Sequence, residues 1–123
     1  MIVDTSAVMA IALKQVGWQR LYELALDAPV LLMSGGTLQE LLVVAWRKGV
    51  SAEVDELLII LDLDYVAVDA DLARSGARLY QQYGKGGDHA AQLNYGDCFA
   101  AALSITRQLP LLYTGEDFKA AGF

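Results

Sequence analysis

The alternation of short apolar runs with longer helical segments is the feature that most constrains how this chain can fold. Four such runs lie at 2–3, 30–33, 65–68 and 111–113. In the segments between them, apolar residues recur every three or four positions, as on one face of a helix. Short buried strands separated by helices are typical of a parallel sheet with helices on both faces. The pattern therefore predicts an α/β fold on four parallel strands.

Glycine, proline and capping residues set the expected ends of the helices. Gly17 and Gly49 separate neighbouring helices, and Pro110 ends the last long one. Residues 34–36 are expected to form a turn whose glycines loosen the start of the next helix, and Ser51 is expected to cap the fourth helix. The predicted helices span 6–14, 18–27, 37–48, 51–63, 69 (or 71)–83 and 95–108.

Length and composition narrow the class of protein. A chain of 123 residues, 55% of them hydrophobic, predicts one folded domain over 1–123. A single cysteine, Cys98, and a single histidine, His89, exclude an internal disulfide, a cysteine zinc cluster and a histidine-rich metal site. The N-terminus lacks a basic leader, and no apolar run is long enough for a membrane span. We expect a soluble, cytoplasmic protein.

Acidic residues follow two of the predicted strands. Asp4 comes directly after the first strand, and Glu116 and Asp117 come three and four residues after the fourth. Ligands of open α/β sheets bind beyond the carboxyl ends of the strands, so these acids are candidates for one shared site. Taken singly, Asp4 is better explained as a helix N-cap, and at least one of Glu116 and Asp117 as a surface acid.

Two more acids lie in helical segments with no cationic residue one turn away. Glu40 has Val43 and Val44 on its own face, which sets a carboxylate into apolar surroundings. A charge buried alone is costly, so Glu40 is expected to be paired, to bind a cation or to face a solvated gap. Asp97 precedes the small residues 100–102, and it is explained either as a site residue or as a first-turn acid that suits the helix dipole.

Together these acids predict a metal site. Carboxylates that converge on one cleft repel each other, and some become protonated unless a cation neutralises them. Oxygen ligands without histidine or cysteine suit Mg²⁺ or Mn²⁺. Such sites keep water and accept phosphate oxygens, so they support phosphoryl transfer or phosphodiester hydrolysis by a metal-activated water.

Four segments of the chain resemble a known family. They are Ile2-Val3-Asp4-Thr5-Ser6-Ala7, Glu40, the run 94–100 and the run 111–118. In this order and spacing they resemble the PIN-domain ribonucleases, and most of all the VapC toxins of bacterial type II toxin–antitoxin systems. The resemblance covers essentially the whole chain and implies the three-layer α/β/α PIN fold with a short parallel sheet of four strands. The family commonly adds a short fifth strand, for which residues 120–123 leave little room.

The resemblance also implies roles for the acids. Carried over position by position, Asp4, Glu40 and Asp97 match the three core metal ligands. The fourth acid falls at Asp117 or Glu116, with Asp117 favoured. The activity implied is Mg²⁺- or Mn²⁺-dependent cleavage of RNA by a homodimer that a VapB-type antitoxin inhibits.

A hydroxyl position accompanies the first aspartate in the same family. Thr5 or Ser6 matches it, and either is expected to hydrogen-bond a ligand carboxylate or a bound water.

The net negative charge of the chain opposes RNA binding. Fifteen acids against nine bases give a net charge of −6, whereas affinity for phosphates rests on lysine and arginine. If the metal site takes up four or five acids, the rest of the chain is nearly neutral. Candidate phosphate contacts, each equally explained as a solvated surface charge, are Lys14, Arg74, Arg78 and Lys85.

Two other functions compete with a ribonuclease. A haloacid-dehalogenase-type phosphatase also has an aspartate after its first strand, but that family places a second acid two residues later, where this chain has Ser6. The other alternative is an inert PIN-like interaction module, against which the acids at all four positions argue. Of the remaining reactive side chains, Cys98 is expected to pack in the interior and His89 to face solvent.

Overall fold

The computed structural model describes all 123 residues. Strands and helices alternate along most of the chain as the sequence predicts. Their bounds are β1 (Ile2–Val3), α1 (Thr5–Ala12), α2 (Trp18–Asp27), β2 (Leu32–Ser34), α3 (Gly35–Arg47), α4 (Ser51–Leu61), β3 (Asp64–Val66), α5 (Ala70–Tyr83), α6 (Asp97–Arg107), β4 (Leu111–Leu112) and α7 (Asp117–Ala120).

The four strands form one parallel sheet in the order β3-β2-β1-β4. Ile2 pairs with Leu32 of β2 on one side and with Leu111 of β4 on the other. The predicted four-stranded α/β fold is thus confirmed. There is no fifth strand, since the chain after β4 ends in the short helix α7.

Helices bury both faces of the sheet, because successive residues of a strand point to opposite sides. Val3 packs into the larger core with residues of α1, α3 and α4. Ile2, its neighbour, packs on the other face with Ala100 and Leu103 of α6. All three layers therefore meet at β1, the strand that leads into Asp4.

The second strand and the helix after it start elsewhere than the sequence predicts. The expected strand 30–33 is displaced to β2, because Leu32 is the residue that pairs with β1, while Val30 lies outside the sheet and its carbonyl accepts from the Met1 ammonium group at 2.7 Å. The predicted turn 34–36 is wrong, since Ser34 ends β2 and its Oγ accepts from the Gly36 amide at 3.2 Å. Strand and helix therefore follow without a turn, and the glycines are part of α3.

Other predicted helix ends need smaller corrections. Ser51 is the first residue of α4 rather than its cap, and the cap position is taken by Val50 without a side-chain hydrogen bond. Asp69 rather than Asp71 caps α5, with Oδ1 accepting from the Leu72 amide at 2.8 Å. The last long helix begins at Asp97, not at residue 95. None of the helices has the length and apolar character needed to cross a membrane.

The strand order fixes where a ligand crevice opens. The chain proceeds from β1 outward to β2 and β3, then returns so that β4 pairs on the opposite side of β1. Such a reversal leaves a crevice beyond the carboxyl ends of the two strands at the switch point. Here those strands are β1 and β4, which Asp4 and the loop 113–116 follow.

Candidate active site

Asp4 lies at the carboxyl end of β1 and divides its carboxylate between two environments. Its side chain is almost fully buried, with 1% exposed. Oδ2 accepts from the Ser6 amide at 2.9 Å and thereby caps α1. Oδ1 is buried and has no hydrogen-bond partner within the protein. The N-cap explanation thus accounts for one oxygen only, and the other is free to bind a ligand.

Asp97 is held by a reciprocal pair of hydrogen bonds at the start of α6. Its Oδ2 accepts from the Asn94 amide at 2.9 Å, and its own amide donates to the Asn94 Oδ1 at 2.8 Å. This is the geometry of a capping box, in which side chains three residues apart satisfy each other's backbone amides. The segment is anchored just before Asn94, where Leu93 exchanges backbone hydrogen bonds with Tyr83 and Lys85.

Glu40 reaches from α3 across to the start of α6. A Cβ built on Gly96 would collide with the Glu40 carboxyl group. Gly96 has an ordinary φ of −65°, so it is the space taken by Glu40, and not backbone strain, that requires glycine here. The missing side chain at Gly96 brings Glu40 beside Asp97.

The loop after β4 brings the fourth acid to the site. Ser6 Oγ accepts from the Thr114 amide at 3.1 Å, which joins this loop to the start of α1. Asp117 then lies close enough to Asp97 for their charges to interact. Glu116 instead faces Lys119 across a solvent-exposed pair at 3.8 Å. The structure therefore brings Asp117, and not Glu116, to the other acids.

Electrostatics show that the four carboxylates share one region. The pKa of Asp97 is raised from an ordinary 3.8 to about 7, mainly by burial and in smaller part by the charges of Asp4, Glu40 and Asp117, while the Asn94 hydrogen bond opposes the rise. Burial likewise raises the pKa of Asp4, opposed by hydrogen bonds from Ser6 and assisted by the Glu40 charge. Without a cation, this site favours partial protonation.

The donor set fits a hard cation that keeps part of its water shell. No three acidic, histidine or cysteine side chains lie close enough together to enclose an ion by themselves. Mg²⁺ does not need such an enclosure, because it is typically held by one or two carboxylates and several waters. The unpartnered Oδ1 of Asp4 is the best-placed direct ligand.

The hydroxyls beside Asp4 have structural partners. Thr5 Oγ1 donates to the Thr37 carbonyl at 3.4 Å, which joins α1 to α3. Ser6 supplies its amide to Asp4 and its Oγ to the Thr114 amide. The hydrogen bonds of Thr5 and Ser6 therefore help to position Asp4 relative to the acids of α3 and of the loop after β4.

Three of the four predicted phosphate contacts, Arg74, Lys14 and Arg78, are dispersed over the surface. Arg74 faces Asp71 at 3.8 Å, and Lys14 lies over the Trp18 ring at 5.8 Å. Arg78 lines a shallow polar pocket with Arg107 at the far end of α6. These cations do not gather beside the acids.

The other reactive side chains lie as expected. Cys98 is buried, and burial together with the Asp97 charge raises its pKa to about 11, so the thiol is not a nucleophile. His89 is exposed in the loop 84–89, edge-on to Tyr83.

Two positioning residues escaped the sequence reasoning. Asn94 had a detectable signal, because an Asn three residues before an acid at a helix start matches a capping box. Gly96 had none, since its role depends on a carboxylate supplied by α3.

Comparison with known proteins identifies the family. The PIN domain family matches residues 1–123. Ribonuclease VapC42 of Mycobacterium tuberculosis is 41% identical over 121 residues, which cover 96% of this chain and 92% of the relative. The chain belongs to the VapC ribonucleases of the PIN-domain family. It is a VapC-type ribonuclease toxin of a toxin–antitoxin system, as the four-segment resemblance predicts, and the phosphatase alternative is set aside.

Solved structures share the VapC fold. VapC20 of Mycobacterium tuberculosis, described as a toxin that cleaves the sarcin-ricin loop, has a TM-score of 0.77 at 21% identity and covers 99% of this chain and 95% of its own. A toxin–antitoxin complex from Klebsiella pneumoniae has a TM-score of 0.69 at 21% identity, covering 99% and 91%. At this identity the similarity establishes the fold.

Proposed function

We propose that this VapC-type ribonuclease hydrolyses RNA phosphodiester bonds at the cluster of Asp4, Glu40, Asp97 and Asp117, with Mg²⁺ or Mn²⁺ bound there. The main support is that the charges of Asp4, Glu40 and Asp117, which come from other elements, all reach Asp97 and add to the larger effect of burial in raising its pKa. A folded chain that brings like charges together needs a cation to offset their repulsion. The family supplies the ribonuclease activity, and this cluster is where the chain can perform it.

Each acid has a role that its position supports. Asp4 offers an unpartnered buried oxygen to the metal. Asp97, fixed by Asn94, would be the second direct ligand. Glu40 and Asp117 approach from α3 and α7, and their carboxylate oxygens would hold hydrating waters.

The bound cation would supply what these side chains lack. When bound, it lowers the pKa of a coordinated water and neutralises charge on the phosphate. The chain's own acids would orient that water, and the positive charge beside them would keep them ionised. No histidine is needed as a base, which agrees with the exposed position of His89 in the loop 84–89.

The partners follow from the same acidic site. The Klebsiella pneumoniae neighbour was solved as a toxin–antitoxin complex, and one from Rickettsia felis is described as VapBC2 bound to a promoter DNA fragment. We therefore assign to this chain a VapB-type antitoxin that offers arginine or lysine to the carboxylates. The active form is a homodimer in the cytoplasm.

Cleavage of RNA by purified chain freed of antitoxin tests the proposal. We expect cleavage of structured RNAs in Mg²⁺, its loss in EDTA and its loss in Asp4→Asn and Asp97→Asn with the fold retained. Glu116→Gln is the matched control, since it removes a nearby acid that faces Lys119 instead, and we expect it to cleave at the wild-type rate. Cleavage that persists in EDTA would refute the metal mechanism.

A further inference from the structure

A pocket opens directly beside the acidic cluster, between α3 and the start of α6. Its volume is about 320 Å³, and its lining includes Gly36, Gln39, Glu40, Val43, Tyr95 and Phe99. Glu40 forms both a wall of this pocket and part of the proposed metal site. A substrate with its phosphate at the metal therefore extends into this pocket with one of its neighbouring groups.

Tyr95 presents an aromatic ring at the mouth of the pocket. Its side chain is 75% exposed. It is held edge-on against Phe99, with ring centroids 5.3 Å apart and an angle of 84° between planes. Single exposed aromatics are ordinary on protein surfaces. This one is distinguished by its position two residues before Asp97 and by the ring that supports it.

The Phe99 ring packs directly against the backbone of α3 at Gly36. A Cβ built on Gly36 would overlap the Phe99 ring. The ring therefore fills the space that a side chain at position 36 would occupy, and it cannot turn freely. Phe99 thus gives the pocket a fixed aromatic floor and gives Tyr95 a rigid support.

The charges around the pocket select for an uncharged group. No lysine or arginine lines it, and Glu40 contributes a carboxylate. A phosphate in this pocket would be repelled, whereas a nucleobase carries no charge. Single-stranded RNA is recognised by stacking of bases on aromatic rings and by hydrogen bonds to their edges. Tyr95 and Phe99 supply the rings, and the exposed Gln39 amide at the rim supplies a donor and an acceptor.

We propose that this pocket is a nucleobase subsite, in which Tyr95 stacks on the RNA base next to the scissile phosphate and Gln39 contacts its edge. The inference rests on the proposed function, because the site's metal places the phosphate. It makes the substrate a nucleotide whose base is unpaired and turned out of a helix. Tyr95 is a binding residue and takes no part in the bond cleavage.

Binding of short fluorescent RNAs tests the subsite separately from cleavage. The probes are labelled hexamers of adenylate and of uridylate and a hexamer of abasic ribose phosphate, titrated against the full wild-type chain in Ca²⁺, which binds oxygen ligands but acidifies its bound water much less than Mg²⁺, so that cleavage is slow. We expect Tyr95→Ala to weaken binding of a base-bearing hexamer about 5- to 100-fold. Tyr95→Phe should retain the affinity, and binding of the abasic hexamer should be equal with and without the Tyr95 ring.

Control variants test whether the base binds in the pocket beside Glu40 or in the neighbouring groove between α5 and α6. Tyr80 lines the neighbouring groove between α5 and α6 and is absent from the pocket beside Glu40. We expect Tyr80→Ala to leave hexamer affinity unchanged and Gln39→Ala to reduce the difference between adenylate and uridylate. An equal loss in Tyr80→Ala and Tyr95→Ala would place the base in the other groove and overturn the proposal.

Two further results decide between failure of the subsite and failure of the proposed function. Base-bearing hexamers that bind no more tightly than the abasic one would overturn the subsite, whatever the cleavage assay shows. In cleavage assays of Tyr95→Ala with Mn²⁺, we expect KM for RNA to rise with kcat and Mn²⁺ affinity retained. Loss of Mn²⁺ affinity in that variant would show that Tyr95 shapes the metal site, and would also overturn the subsite.

Discussion

Asp4 serves two purposes through its two oxygens. Oδ2 caps α1 by accepting from Ser6, while Oδ1 is buried without a partner. An unsatisfied buried acceptor typically costs about 1–3 kcal/mol of folding free energy. This cost falls on an atom that a bound ligand would satisfy. The N-cap explanation of Asp4 therefore applies to Oδ2, and the ligand-binding explanation applies to Oδ1.

Asp97 makes the metal-free fold sensitive to pH. Its folded-state pKa of about 7 lies above the ordinary value of 3.8. An acid whose pKa is raised by folding has its full stability at low pH, and that stability is lost as pH rises from about 4 to 7. Charged Asp97 therefore destabilises the metal-free protein near neutral pH.

Replacing this charge should stabilise the metal-free protein at the expense of activity. Asn at position 97 keeps an oxygen to accept from the Asn94 amide, and it removes both the cost of burying a charge and the repulsion from the neighbouring acids. We expect Asp97→Asn to gain about 1–2 kcal/mol at pH 8, after allowing for solvent screening, or roughly 3–8 °C in melting temperature. Thermal unfolding in EDTA should show the gain at pH 8 and none at pH 4. A variant less stable than wild type at pH 8 would contradict this account of the cluster.

Adjacent acids after β4 should differ in importance. Asp117 acts on Asp97, whereas Glu116 faces Lys119 in solvent. We expect Asp117→Asn to lower kcat/KM for RNA about 10- to 100-fold, the range for groups that orient metal ligands. Glu116→Gln should stay within about twofold. Steady-state cleavage kinetics measure both, and a reversed order would assign the fourth position to Glu116.

At the scale of elements, the start of α6 is where the site is assembled. Asp97 begins this helix, and Glu40 crosses from α3 over Gly96. The absent side chain at Gly96 is as necessary to the arrangement as the acids that it brings together. The site therefore depends on how closely two helices approach.

An added methyl group at Gly96 should weaken metal binding at the site while leaving the stability of the fold nearly unchanged. Gly96→Ala leaves the backbone conformation allowed but displaces the Glu40 carboxylate, which can rotate away. We expect a melting temperature within a few degrees of wild type and a 10- to 100-fold loss of Mn²⁺ affinity. Gly76→Ala on α5 is the control, because its Cβ would make only ordinary contacts, 3.5 Å or longer.

A double-mutant cycle with Glu40→Gln tests whether Gly96→Ala weakens metal binding through Glu40. If Gly96→Ala acts through Glu40, adding it to Glu40→Gln should cost little further affinity. Additive losses in a double-mutant cycle of calorimetric titrations would mean that the two residues act independently.

Element boundaries could be predicted where local chemistry decides them. The span of α2 and the Asp69 cap follow from residues within one turn. The start of β2 could not be predicted, because it depends on which residue pairs with Ile2. The prediction of a turn at the two glycines was wrong for a similar reason. Glycine at position 36 leaves room for the Phe99 ring and does not bend the chain.

At the scale of the whole molecule, strand order brings the two ends of the chain together. With β1 between β2 and β4, the acids after β1 and β4 face the same crevice. The position of Asp4 at this crevice could be predicted from a strand followed by an acid. The sequence favours Asp117 over Glu116, but it does not predict the Thr114–Ser6 hydrogen bond that brings this loop to the site, because that bond joins residues 108 positions apart.

The net charge of the molecule also follows from this assembly. The chain carries −6 overall, and four of its acids share one crevice. A divalent cation there reduces the local repulsion of phosphates, and we expect RNA affinity to depend on it more strongly than on any one surface cation. The dispersed positions of Lys14, Arg74 and Arg78 agree with this expectation.

The most direct test of the central claim is calorimetric titration of the purified chain, free of antitoxin, with Mn²⁺ at pH 6.5. The account predicts saturable binding with release of protons, since Asp97 is partly protonated before the metal binds. It also predicts that binding is lost in Asp4→Asn and unchanged in Glu116→Gln. Absence of Mn²⁺ binding to the wild-type chain, or equal binding to Asp4→Asn, would contradict the claim that these carboxylates form one metal site.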